Sequence, residues 1–119
     1  MMWKSKTVNK LLFMAKNGKT IKIFCSKIRN FLGDNLVFVK LFGSQTRGEA
    51  VNESDIDIII VLKNRNLEIC DEIYEVLFDV DPYYEHKISL SIFSEEEYNE
   101  NKRLGSFFIE NINREAIEI

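Results

Sequence analysis

At 119 residues and 45% apolar content the chain is sized for one domain with its own core. A single Pro, no repeat and no apolar run of bilayer length exclude a low-complexity chain and a membrane-spanning one. The net charge of −3 is unevenly spread: residues 1–48 carry ten Lys/Arg against one acid, and residues 49–119 carry six against eighteen.

That asymmetry fits a basic face for nucleotide, nucleic acid or an acidic partner, and equally a lysine-rich solvated helix surface. No aromatic residues interleave with a basic groove as single-strand binders require. No signal-peptide pattern is present, so a cytoplasmic protein is expected. Cys25 and Cys70 lack metal-type spacing and read as small buried apolar residues. With His86 the only histidine, a histidine metal site or a Ser-His-Asp triad is poorly supported.

Residues 1–17 read as an extra N-terminal helix or arm on a single domain spanning 1–119. Val8, Leu11, Leu12 and Ala15 fall on one helical face. Asn17-Gly18 reads as the turn that closes this segment. Gly18-Lys19-Thr20 resembles the end of a P-loop, but Phe13 stands where that motif needs a glycine. The spacing of Ile21, Phe24, Ile28, Phe31 and Leu32 predicts a helix over 20–32, capped by Thr20 and ended by Gly33. The apolar run Leu36 to Phe42 predicts a buried strand.

A polar turn from Gly43-Ser44 to Gly48 follows. A strand ending in Gly-Ser before a short helix turns N–H donors outward, an anion site suited to phosphate. Gly43 lets phosphate approach the backbone without a Cβ in the way. Ser44 adds a hydroxyl donor and Arg47 a charge. Ser54-Asp55-Ile56-Asp57 then leads into a second strand ending at Leu62. Strand alternation puts Asp55 and Asp57 on one face, with Ile56 and Ile58 on the other. Two carboxylates one strand step apart repel unless a cation sits between them, and Mg²⁺ is commonly held by one or two carboxylates plus substrate phosphates. The pattern points to a metal–nucleotide site for phosphoryl or nucleotidyl transfer.

Leu67 to Val80 predicts a helix with Ile69, Ile73, Val76, Leu77 and Val80 inward and an acidic outer face, ended by Asp81-Pro82. His86 to Phe93 predicts a third strand, Ile88, Leu90 and Ile92 alternating with Lys87, Ser89 and Ser91. Ser94 followed by Glu97 forms a capping box for the next helix, which Gly105 breaks. Phe107, Phe108, Ile112 and Ala116 suggest a final short helix.

Gly43-Ser44, ten residues, then Asp55-Ile56-Asp57 resembles the signature of the DNA polymerase β-like nucleotidyltransferases. The short chain and Leu41-Phe42-Gly43-Ser44-x-x-Arg47-Gly48 resemble its smallest branch, the minimal nucleotidyltransferases, which often pair as antitoxin with a HEPN-domain toxin. The resemblance covers the chain from about Ile21 onward. It implies an α/β fold, a small mixed sheet with helices packed mainly on one face. It implies binding of Mg-ATP, with Mn²⁺ as an alternative metal, and transfer of AMP to a protein hydroxyl of a HEPN partner. Gly43, Ser44 and Arg47 would hold phosphates, and Asp55 and Asp57 would be the catalytic metal ligands. Active relatives carry a third acidic residue on the next strand, and its place here is Ser89. A degenerate antitoxin that masks its partner, and nucleotidyl transfer to a small molecule, are the alternatives. No template-directed polymerase is implied, and an oligomer is left open.

Overall fold

The structure, a computed structural model, describes residues 3–42, 56–105, 109–110 and 117–118, with side chains at 18–41, 56–105 and 109–110. In chain order it comprises α1 (Trp3–Leu32), a 3₁₀ turn (Gly33–Asn35), β1 (Leu36–Phe42), β2 (Ile56–Leu62), α2 (Leu67–Val80), β3 (Ile88–Ser94), α3 (Glu95–Arg103) and β4 (Ile117–Glu118). The strands form one mixed sheet of order β3-β2-β1-β4. β1 runs antiparallel to β2 and to β4, and β2 runs parallel to β3 with α2 as the crossover. This is the expected α/β architecture.

α1 is continuous where the sequence suggests a break at Asn17-Gly18. Gly18 is buried inside the helix, in place of a turn, at the usual helix-interior cost for glycine of about 1 kcal/mol. Thr20 therefore lies inside the helix rather than at its cap. Its Oγ1 lies 3.1 Å from His86 Nε2, tying α1 to the segment before β3. Gly33, at φ +52°, ends α1 in the left-handed conformation that favours glycine.

Alternation along β2 divides the sheet into two faces. Ile56, Ile58, Ile60 and Leu62 pack with Val39, Leu41 and Ile88 beneath Ile21, Phe24, Ile28 and Leu32 of α1 and Ile73 of α2. Ile59 and Val61 face the other way, against Tyr98 of α3 and Ile109, with Phe38 and Phe93 alongside. The two long helices thus share one face and α3 covers part of the other. A bulge between Leu36 and Phe38 shifts the β1 register and leaves Val37 exposed. Asn35 binds both the N–H (2.8 Å) and the carbonyl (2.9 Å) of Asn64, joining the start of β1 to the end of β2.

α2 begins and ends as the sequence indicates, with the Asn66 side chain accepting from the Ile69 N–H at 2.8 Å. Cys25 and Cys70 are free and buried. Burial pushes the Cys25 thiol up to about 11, with Arg29 opposing, which marks a core thiol rather than a reactive one. Of the suggested last helix, Ile109 and Glu110 are helical and the remainder lies outside the described residues. The two residues of β4, absent from the sequence expectation, pair with Lys40 and Leu41. Among the described residues no helix is long and apolar enough to cross a membrane.

Candidate functional site

The site is organised by Asp57, the second residue of β2. Its neighbours Ile56 and Ile58 are 1% and 0% exposed on the helix-covered face, so alternation assigns Asp57 to the opposite face. There Ile59 and Val61 are covered, with the Tyr98 ring edge-on to Phe38 at 5.2 Å. Burial raises the Tyr98 phenol above its usual range. Beyond this apolar half, at the start of β2, the same face turns polar: Asp57 and Ser89 are half-buried, as is Ser91 beside Ile59 at the border. One face thus holds an apolar half that anchors α3 and a polar half that carries Asp57.

Asp57 pairs in register with Phe42 of β1 on one side and with Ser89 of β3 on the other. The first pairing means that residues 43–55 leave β1 beside Asp57 and rejoin β2 immediately before it. Gly43, Ser44, Arg47 and Asp55 all fall in this connection and lie outside the described residues. The second pairing puts Ser89 directly across from Asp57, so the position opposite the strand carboxylate holds a hydroxyl.

Lys87 does not belong to the polar face of β3, as sequence alternation suggests. Its φ is +50°, and that of Tyr84 is +55°, so both belong to the turn and β3 starts at Ile88. Asp81, 7% exposed, pins this turn: its carboxylate accepts the N–H groups of Glu85 at 3.0 Å and His86 at 3.2 Å. The Lys87 carbonyl then accepts from the Ile56 N–H at 3.1 Å, which locks the onset of β3 against the onset of β2 and sets the Asp57–Ser89 register.

One residue on this face escaped sequence reasoning. Lys40 pairs with Ile59, one strand step from the Phe42–Asp57 pair, so it is a diagonal neighbour of Asp57 on the same face. Its Nζ sits 4.5 Å over the Phe38 ring, held by a cation–π contact at the border of the two halves. The signal was its shared parity with Phe38 and Phe42 in a run that looked buried on both sides.

Residues 26–106 match the family model described as "Polymerase beta, Nucleotidyltransferase". The chain is 33% identical over 69 residues to a Methanocaldococcus jannaschii protein named "Putative protein adenylyltransferase", an alignment that covers 58% of this chain and 46% of that one. It thus spans about half the length of that relative. A crystal structure described as "a putative nucleotidyltransferase from Sulfolobus solfataricus" aligns with a TM-score of 0.45 at 21% identity, covering 81% of this chain and 79% of that one. The family model takes in β1, β2, α2, β3 and α3, the elements that build the Asp57 face, and on that match the chain belongs to the polymerase β nucleotidyltransferase family.

Proposed function

We propose that this chain binds Mg-ATP and transfers AMP to a hydroxyl of a partner protein, a HEPN-domain toxin for which it acts as antitoxin. The observation that carries the reading is Asp57, a half-buried carboxylate on the polar half of a sheet face, beside the exit of β1 into Gly43-Ser44. Family membership supports the nucleotidyl-transfer chemistry.

The donor chemistry suits a hard divalent cation. Asp55 and Asp57 offer only oxygen ligands, and among the described residues no group of three or more His, Cys, Asp or Glu side chains could hold a metal. Two carboxylates leave coordination positions for substrate phosphates, as Mg²⁺ prefers. When bound, the ion neutralises phosphate charge and orients the leaving group. Gly43 and Ser44 hold the β- and γ-phosphates, and Arg47 adds positive charge there. The acceptor oxygen bonds to the α-phosphorus as the bond to pyrophosphate breaks. With Ser89 opposite Asp57, the acceptor proton must leave to a group other than a β3 carboxylate. That same serine favours a second reading, an antitoxin that masks its partner without modifying it.

Intact-mass measurement on the partner after incubation with Mg-ATP separates the two. The expected result is a gain of one or more AMP units with the wild-type chain and none with the Asp55→Asn, Asp57→Asn double variant. A partner that stays bound and unmodified with both proteins rejects transfer and selects masking.

A further inference from the structure

α1 and α2 lie side by side on one face of the sheet and carry opposite charge. α1 contains eight Lys/Arg and no acid, and α2 contains five acids and no cation. Glu68, Asp71, Glu75 and Asp79 are all exposed, and among the described residues no ion pair engages them. Asp79 stands in the last turn of α2, where no basic residue offsets it and the helix dipole disfavours a negative charge.

Beside this acidic stripe runs an apolar one. Leu67, Tyr74 and Phe78 are 80%, 42% and 67% exposed. Helical spacing sets Asp71 next to Tyr74, and Glu75 next to Phe78. The stripe ends in a groove of about 200 Å³ formed by Tyr74, Leu77, Phe78, Pro82, Tyr84 and Ile88. An apolar lane with a groove at one end, flanked by unpaired carboxylates, is the complement of an amphipathic helix bearing lysines.

The chain itself contains such a helix. A 30-residue α1 is about 45 Å long against about 23 Å for a seven-residue strand, and among the described residues those it packs on the sheet run from Ile21 to Leu32. The N-terminal half carries Lys4, Lys6, Lys10 and Lys16 with Val8, Leu11, Leu12 and Ala15, a lysine-bearing amphipathic pattern. We infer that the α2 face is an interaction surface whose occupant is the N-terminal half of α1 from a second copy of this chain. If each copy supplies both elements, the contact is made twice about a two-fold axis and closes as a dimer. The inference is independent of the chemistry at Asp57.

Sedimentation equilibrium of the full chain tests it. At about 50 mM NaCl a dimer is expected, weakening severalfold toward about 300 mM as screening lengths shrink. Phe78→Glu is expected to be a folded monomer by circular dichroism. Two charge-reversed variants, one with Lys4, Lys6, Lys10 and Lys16 changed to Glu and one with Glu68, Asp71, Glu75 and Asp79 changed to Lys, are each expected to be monomeric alone and to associate when mixed. Recovery on mixing cannot come from a folding defect. A chain that stays monomeric at low salt, a dimer that survives Phe78→Glu, or charge-reversed variants that fail to associate on mixing would overturn the inference in favour of a heterologous partner or none.

Discussion

Asp57 is the single charge in a seven-residue strand otherwise made of isoleucine, valine and leucine. Burying a charge without compensation is costly, which is why the residue stood out as a candidate before any fold was known. Ser89 was recognisable for a different reason: a parallel partner is fixed by strand parity once the pairing is right, and β3 pairs with β2 as parity requires. Lys40 is likewise the single charge of its strand, but it was passed over because Leu36–Phe42 was read as one apolar run, and the bulge at Val37 cannot be read from composition. The Asp57–Ser89 register leads to a direct experiment. Ser89→Asp would set two carboxylates across one strand pair, which repel each other without a cation. The variant is expected to melt below wild type in EDTA and to gain more thermal stability from Mg²⁺ than wild type does, with at least tenfold faster AMP transfer where wild type transfers slowly. Melting curves with equal Mg²⁺ response in both proteins would show that position 89 does not face the metal.

Among the elements, α2 and the start of α3 were legible to the residue. Both begin with side chains that satisfy free helical N–H groups, and such signals are local. In α3 the Ser94 hydroxyl accepts from the Glu97 N–H at 3.0 Å, and the Glu97 carboxylate accepts from the Ser94 N–H at 2.8 Å. The Ser94 backbone and side-chain hydrogen bonds, helped by Arg65, hold the Glu97 carboxyl below its ordinary 4.5. A carboxyl lowered on folding adds stability that is full above its unfolded value and lost as pH falls through its folded value. Ser94→Ala is expected to cost about 1 kcal/mol in urea denaturation at neutral pH, and to move the Glu97 titration, followed by carboxyl-carbon NMR, only part of the way up, because the residue-94 N–H and Arg65 remain. A Glu97 midpoint that does not move would break the link between box and shift. α1 and β3 were misjudged at their starts because the deciding facts are tertiary. Gly18 is buried instead of turning, and the Asp81 carboxylate holds residues through Lys87 in a turn that periodicity alone reads as strand.

At the scale of the whole molecule, α/β class and mixed pairing follow from two apolar strands, a long amphipathic crossover and a third strand with one polar face. The sheet order was less legible, because the outermost pairing rests on two residues, Ile117 and Glu118, joined to Lys40 and Leu41 from far along the chain. The other boundary of the sheet has a practical consequence. Among the described residues β3 is an edge strand, of sequence Ile-Ser-Leu-Ser-Ile-Phe-Ser, with no charge and no proline. An unpaired ladder of this kind is a template for other chains, and Lys87 and Glu95 at its two ends are the nearest charged gatekeepers. Loss of solubility on gentle heating should therefore start at β3, before the core melts. Ser91→Lys, an inward charge on that edge, is expected to raise the temperature at which light scattering begins while leaving the circular dichroism melt near wild type. Scattering that tracks the melt equally in both proteins would place the weak point elsewhere.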